Sequence, residues 1–90
     1  MLQTVSILIT GKVQGVYYRQ STKEKARELG ITGFVKNLPD GRVQVIATGT
    51  TVQLKSLADW CKQGPARAIV ENIKMEEISA QVFTGFTIQQ

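Results

Sequence analysis

Alternating apolar and polar positions at the start of the chain predict a half-buried β-strand. Val5, Ile7 and Ile9 form one face, and threonine and serine residues form most of the other. Gly11 is expected to end this strand, because glycine interrupts the β pattern. The segment Gly11–Arg19 then separates the strand from residues with helical spacing.

The next pattern is that of an amphipathic helix that ends at Gly30. Its apolar stripe consists of Thr22, Ala26 and Leu29. Ser21 and Glu24 match a capping box, which would start the helix near Thr22. No residue after Tyr18 breaks a helix, however, so the start lies between Tyr18 and Thr22. Arg19 therefore lies either in the first turn of the helix or on the preceding loop.

A β-hairpin is predicted in the middle of the chain. Residues 31–38 are rich in β-forming types, and Leu38–Gly41 is a strong turn sequence because proline presets φ and glycine accepts a positive φ. Residues 42–49 alternate again and form the return strand. Its apolar face consists of Val43, Val45 and Ala47.

A second helix follows the hairpin and ends at Gly64–Pro65. Its apolar residues stand at helical spacing: Leu54, Leu57, Ala58 and Cys61. The apolar residues of the strand after it change phase, from Ala68 and Val70 to Ile73 and Met75. A bulge near Glu71–Asn72 is expected, since it would turn both pairs inward.

The remaining residues predict a turn over 76–80 and a final strand over Val82–Gln89, with Phe86 and Ile88 on one face and Phe83 on the other. The whole order is strand, helix, strand, strand, helix, strand, strand. This order predicts an α+β fold of the split βαβ type, with strands one and three adjacent and both helices on one face of an antiparallel sheet. The loop before Arg19 and the end of the second strand, at Asn37, would then lie at neighbouring edges.

Composition narrows the possible chemistry. The 90 residues are expected to form a single domain over 1–90, and eleven basic and seven acidic residues leave a net charge of +4, scattered along the chain. Without histidine and with only Cys61, the chain cannot build the usual zinc sites or a Ser-His or Cys-His nucleophile. The lone cysteine and the absence of a run of roughly 18 apolar residues favour a cytoplasmic protein that does not span a membrane. A monomer is expected for a small domain without an apolar surface stripe.

The segment Gly11–Arg19 has the features of an anion-binding loop. Gly11 and Gly15 bracket a stretch whose backbone N–H groups could turn inward, and Arg19 stands where the helix begins. A cation at a helix start opposes the macrodipole by roughly 0.3–1 kcal/mol. A bound anion would remove this conflict, which favours an anion ligand over a solvated surface arginine.

The sequence resembles the acylphosphatase family over nearly its whole length. Gly11–Arg19 resembles the family signature and Gly33–Asn37 resembles its second motif. Further landmarks follow in the family's order: Asp40–Val43, Trp60–Pro65, the Ala68, Val70, Ile73 and Met75 spacing, and Phe86–Ile88. The resemblance implies a ferredoxin-like βαββαβ fold with an added C-terminal strand, and hydrolysis of the carboxyl–phosphate bond of acyl phosphates without a cofactor or metal.

The resemblance also implies the site residues. Arg19 would bind the phosphate and Asn37 would position the attacking water. The phosphate-facing amides would come from Gln14, Gly15, Val16, Tyr17 and Tyr18. Two departures stand out, because Tyr18 occupies a position where the family usually has phenylalanine, and Thr48 one where an acidic residue commonly precedes the glycine.

The residues are sufficient for this chemistry. A carboxylate is a good leaving group, with a reference pKa of about 4, so the site must only hold the phosphoryl group and aim a water. No motif places a carboxylate nearby, and a phosphate oxygen of the substrate is the expected proton acceptor. The acyl group itself stays open, with 1,3-bisphosphoglycerate, carbamoyl phosphate and acetyl phosphate as candidates.

The alternatives are a small ferredoxin-like module that binds an anion or nucleic acid without catalysis, and a purely structural or regulatory domain. RNA-binding domains of this topology carry aromatic residues on the third strand, and residues 42–49 contain none. Tyr17 and Tyr18 are therefore expected to anchor the loop to the core. A small-molecule acyl phosphate, and not nucleic acid, is the expected partner.

Overall fold

The computed structural model describes residues 1–89 and contains seven regular elements. Gln90, the last residue of the predicted domain, lies outside the described residues. In chain order the elements are β1 (Gln3–Lys12), α1 (Tyr18–Leu29), β2 (Thr32–Asn37), β3 (Val43–Gly49), α2 (Thr51–Gln63), β4 (Ile69–Ile78) and β5 (Phe86–Gln89).

The strands form one sheet in the order β4-β1-β3-β2-β5. β1 pairs antiparallel with β3 and β4, β2 pairs antiparallel with β3, and β5 pairs parallel with β2. Strands one and three are adjacent in the middle, as the element order predicts. The fold is the ferredoxin-like βαββαβ sandwich with an added C-terminal strand.

The core lies between one face of the sheet and the two helices. Strand residues at alternate positions, such as Ile7, Val35 and Val45, are completely buried there. The helices contribute their stripes of buried residues: Tyr18, Thr22 and Ala26 from α1, and Leu54, Leu57, Ala58 and Cys61 from α2. Both helices therefore cover the same face, and the opposite face is called the outer face below.

The bulge predicted near Glu71–Asn72 is confirmed. Thr10 pairs with Asn72 and Gly11 with Val70, so Glu71 is the extra residue. Val70 and Ile73 both pack against the core across this bulge. Met75 pairs with the buried Ile7 and so lies on the helix side of the sheet as expected, but it is 46% exposed because β4 is the edge strand.

Gly11 does not end β1, which continues to Lys12. An added Cβ at this position would overlap the carbonyl oxygen of Ile69, so the missing side chain is what lets β4 approach. At its start, α1 takes the earlier of the two predicted positions, Tyr18, and the Ser21–Glu24 pair lies within the helix instead of capping it.

The predicted turn over residues 76–80 is wrong. β4 continues to Ile78, because β1 pairs with it from Thr4 onward. The last strand begins at Phe86 and not at Val82. Phe83 instead packs edge-on against Phe34 on the outer face, with 5.8 Å between the ring centroids.

Candidate active site

The candidate site lies at the edge of the sheet where three strands end. β1 and β2 both run antiparallel to β3, and β5 runs parallel to β2, so all three chain directions agree. A cavity of about 470 Å³ opens at this edge. It is lined by Val13, Gly15, Tyr17, Tyr18, Arg19, Gln20, Asn37 and Ile88.

Arg19 is the second residue of α1 and lines the cavity, half-buried. The first turn of the helix carries no acidic residue, and within residues 1–89 Arg19 forms no ion pair. Its positive charge therefore stands beside the positive end of the helix dipole without a counter-charge from the described residues. This arrangement favours binding of an anion in the cavity.

Asn37 is the last residue of β2 and reaches the same cavity. It follows the alternation of Gly33 and Val35, which puts its side chain on the helix side of the sheet. Its Oδ1 atom is buried and accepts no hydrogen bond from residues 1–89. A buried acceptor without a partner is unfavourable by about 1–3 kcal/mol, so a bound donor would stabilise this side chain.

The loop between β1 and α1 is fastened at two points. Val13 and Val16 are buried in the core. Between them, the Gln14 carboxamide Nε2 donates to the carbonyl oxygens of Leu38, at 2.8 Å, and Arg42, at 2.9 Å. Gln14 thereby joins the loop that precedes Arg19 to the hairpin that follows Asn37.

The five predicted loop residues differ in where they point. Gly15, Tyr17 and Tyr18 line the cavity. The Gln14 side chain contacts the hairpin and the Val16 side chain contacts the core, so neither lines the cavity. Gly15, with φ of 73°, has the left-handed backbone that the loop turn requires. Presentation of the loop amides to phosphate stays a prediction.

Tyr18 anchors the loop to the core, as expected. Its hydroxyl group donates to the carbonyl oxygen of Cys61 at 2.7 Å, and its ring lies 5.6 Å from that of Trp60. In an uninterrupted helix the Cys61 carbonyl would accept from the residue four positions later, but that residue is Pro65, which has no N–H group. The hydroxyl of Tyr18 takes the place of this missing donor.

Cys61 is completely buried, as the core interpretation of its sequence position requires. Burial raises the pKa of its thiol to about 12. Burial also raises the pKa of Tyr18 far above its usual value. Both groups are neutral near pH 7, and Cys61 is a packing residue that has no thiolate to offer as a nucleophile.

Tyr17 differs from its neighbour, and the expectation that it anchors the loop is wrong. Its side chain is 70% exposed at the rim of the cavity. Its backbone is left-handed, with φ of 70° and ψ of 19°, and it forms the N-cap position of α1. Its two neighbours, Val16 and Tyr18, are buried, whereas the ring of Tyr17 points away from the core.

Sequence reasoning missed Gln20 and Ile88. Gln20 follows Arg19 in the first helical turn, and its Nε2 donates to Glu24 at 3.0 Å. Ile88 reaches the cavity because β5 pairs parallel with β2, opposite Val35. Gln20 could have been predicted as a site residue because it directly follows Arg19. Ile88 could not, because the local sequence does not indicate that β5 pairs in parallel with β2.

Asp40 stays outside the cavity. Its carboxylate accepts from the backbone N–H of Arg42 at 3.1 Å and from the guanidinium Nε of the same residue at 2.8 Å. These contacts, the backbone hydrogen bond first, hold the pKa of Asp40 below its usual value. Among the described residues, the lining of the cavity contains no carboxylate.

No helix within residues 1–89 is long and apolar enough to cross a membrane.

Comparison with known proteins gives a consistent result. The family model described as "Acylphosphatase" matches residues 5–88. An acylphosphatase from Marinobacter nauticus is 58% identical over 81 residues, which cover 89% of this chain and 88% of that protein. The chain is thus similar to enzymes, and the alternative of a binding module without catalysis is not favoured.

Solved structures give the same answer for the fold. The structure of an acylphosphatase from Coxiella burnetii has a TM-score of 0.95 at 38% identity, covering 98% of this chain and 93% of that one. The acylphosphatase from Bacillus subtilis has a TM-score of 0.94 at 32% identity and covers both chains completely, at 100% each.

Proposed function

The chain belongs to the acylphosphatase family, and from this premise we propose that Arg19 binds the phosphoryl group and Asn37 orients the attacking water. The reaction is hydrolysis of the carboxyl–phosphate bond of an acyl phosphate to a carboxylate and inorganic phosphate. The observation that carries the proposal is that Arg19 and Asn37 line one cavity although they come from different elements, and that the buried Oδ1 of Asn37 has no hydrogen-bond partner within residues 1–89.

Arg19 suits the binding role because a planar guanidinium donates to two phosphate oxygens at once. Its positive charge also stabilises the negative charge on the phosphoryl oxygens as the bond to the leaving group lengthens. The backbone amides of residues 14–18 would complete the phosphate site. The tie from Gln14 to the hairpin supports this role, since it holds the loop at a fixed distance from Asn37.

Asn37 suits the orienting role because its Oδ1 can accept a hydrogen bond from water without taking the proton. The water oxygen attacks phosphorus, the bond from phosphorus to the acyl oxygen breaks, and its electron pair leaves with the carboxylate. The water proton passes to a phosphate oxygen of the substrate. A carboxylate leaves readily without protonation, so this scheme requires no acid, metal or cofactor from the enzyme.

The proposal also covers the location, the oligomeric state and the partners of the protein. We expect the protein to act as a cytoplasmic monomer, with residues 1–90 as one domain and no nucleic-acid partner. The free, buried Cys61 supports the expected cytoplasmic location, and the absence of aromatic residues on β3 supports the expected lack of a nucleic-acid partner. Light scattering coupled to gel filtration measures the oligomeric state.

The test is hydrolysis of acetyl phosphate in the presence of a metal chelator, for which we expect retained activity. Arg19→Ala and Asn37→Ala should each lower kcat/KM at least about a hundredfold, equivalent to about 3 kcal/mol of transition-state stabilisation. Matched controls are Arg27→Ala, exposed near the end of the same helix, and Asn72→Ala, exposed on β4. Wild-type rates in Arg19→Ala or Asn37→Ala would remove that residue from the mechanism.

The proton acceptor has its own test. If a substrate oxygen takes the proton, the rate should not depend on an enzyme carboxylate, and Asp40→Asn should hydrolyse acetyl phosphate as the wild type does. A pH–rate profile that shows one essential carboxylate, together with loss of activity in Asp40→Asn, would contradict this step.

A further inference from the structure

The cavity is lined by two side chains that the phosphate chemistry does not use, those of Tyr17 and Ile88. Arg19 and Asn37 are polar residues of its lining. The ring of Tyr17 and the side chain of Ile88 also line it, and they present apolar surface to the same space. A substrate whose phosphoryl group lies beside Arg19 brings its acyl group close to the other lining residues, because a single oxygen joins the two groups.

Tyr17 is unusual in both conformation and exposure. Within residues 1–89 it is the only residue other than glycine with a positive φ. A large side chain is unfavourable in this conformation, and such strain is concentrated at sites that bind ligands. The ring is 70% exposed, so packing within the chain does not offset the strain.

Ile88 has a fixed position in the lining of the cavity. It pairs with Val35 on β2, two residues before Asn37, and it packs partly against the core. Strand pairing therefore fixes Ile88 relative to Asn37, which orients the water in the proposed function. Tyr17 is fixed in the same way, because Tyr18 and Val16 on either side of it are both buried.

We infer that Tyr17 and Ile88 bind the acyl group, so that the enzyme selects acyl phosphates with an aromatic or similarly flat apolar acyl group over acetyl phosphate. This inference rests on the proposed function, which places the phosphoryl group beside Arg19. A tyrosine ring stacks on a flat apolar group and contacts it over a large area, whereas a methyl group covers little of the ring.

The test compares kcat/KM for benzoyl phosphate and acetyl phosphate in the same preparation. Tyr17→Asn removes the ring and keeps a residue that tolerates the left-handed backbone, and Tyr17→Gly removes it without backbone strain. The benzoyl-to-acetyl ratio should fall about three- to tenfold in both variants. Tyr17→Phe keeps the ring and should keep the wild-type ratio.

The ratio separates acyl recognition from damage to the phosphate loop, since a displaced loop slows both substrates equally. An unchanged ratio in Tyr17→Asn and Tyr17→Gly would overturn the inference, even if both rates fell. If those ratios are unchanged while Arg19→Ala is inactive, only the acyl contact is wrong. If Arg19→Ala retains wild-type rates, the phosphate placement is wrong, and the acyl contact is overturned with it.

Discussion

The hydroxyl group of Tyr18 donates a 2.7 Å hydrogen bond to the carbonyl oxygen of Cys61, and so joins the first turn of α1 to the last turns of α2. Arg19 follows Tyr18 directly, so this contact also orients the turn that carries the guanidinium group. An added Cβ at Gly64 would come within 2.6 Å of the Tyr18 ring, which shows how closely the end of α2 fits around it.

Tyr18→Phe restores the residue that is usual in the family but leaves the Cys61 carbonyl without a donor, since Pro65 cannot supply one. The free energy of unfolding should fall by about 1–3 kcal/mol, the cost of a buried unpaired acceptor. Urea denaturation measures the change, with Tyr17→Phe as the control because its hydroxyl is on an exposed side chain. Equal midpoints for the wild type and Tyr18→Phe would mean that another donor replaces the hydroxyl.

Gln14→Ala should lower catalytic efficiency without removing a group that contacts substrate. The substitution deletes both hydrogen bonds between the loop and the hairpin, which hold the segment before Arg19 close to the segment after Asn37. A misplacement of about 1 Å can slow a reaction on the order of a hundredfold, and we expect at least about a tenfold loss of kcat/KM.

Gln44→Ala is the matched control for Gln14→Ala, because its carboxamide donates to Ser6 at 3.3 Å on the outer face, away from the cavity. Acetyl phosphate turnover of both variants measures the difference. Equal activities would show that the buried residues Val13 and Val16 hold the loop without Gln14.

The buried thiol of Cys61 makes stability depend on pH in the alkaline range. Its pKa is about 12 in the folded protein against a reference of 9.0, so the unfolded chain loses this proton first as the pH rises. Stability is complete below about pH 9 and falls between about pH 9 and 12. The pKa of Tyr18 is raised as well, which adds to the fall above its reference value of 10.0.

Denaturant midpoints measured on either side of about pH 9 test this dependence. Cys61→Ala should lose part of the alkaline slope, although its stability at neutral pH falls because it leaves a cavity. If Cys61→Ala and the wild type had identical slopes, the thiol would not be the group responsible.

Gly33→Ala should strongly destabilise the protein and reduce its activity. An added Cβ would overlap the carbonyl oxygen of Ile46 on β3, and the φ of Gly33 is +139°. We expect a loss of about 3 kcal/mol or more in the free energy of unfolding. Thermal unfolding compares it with Gly85→Ala, whose Cβ meets open space in the part of the chain that the structure describes. Similar melting temperatures would contradict the overlap.

Elements with a strong local pattern were predictable from the sequence. The turn at Leu38–Gly41 forms with the Gly41 N–H donating to Leu38, and the phase change on β4 predicts its bulge. The extension of β4 to Ile78 was not predictable, because it depends on pairing with Thr4 and not on the residues themselves. Charged residues at 76 and 77 are tolerated in a strand there because the edge is exposed.

The site likewise contains features that the sequence predicts and features that depend on contacts between distant residues. Element order and the resemblance together predict that Arg19 and Asn37 face one cavity, and the structure brings them there. The hydrogen bonds of Gln14 span 24 and 28 residues, and nothing in the local sequence specifies them. The exposure of the Tyr17 ring could not be predicted from the sequence either, because a left-handed backbone is rare for tyrosine. The burial of both neighbouring residues accompanies this conformation.

The position of β3 between β1 and β2 governs when activity can appear during folding. β1 leads to Arg19 and β2 carries Asn37, so the two halves of the site meet only through a strand that pairs Gln3 with Gly49. Closing such long segments is slow compared with forming a helix. A refolding chain should therefore regain its helical circular dichroism before it hydrolyses substrate. Enzymatic activity then reports that all strands of the sheet have paired.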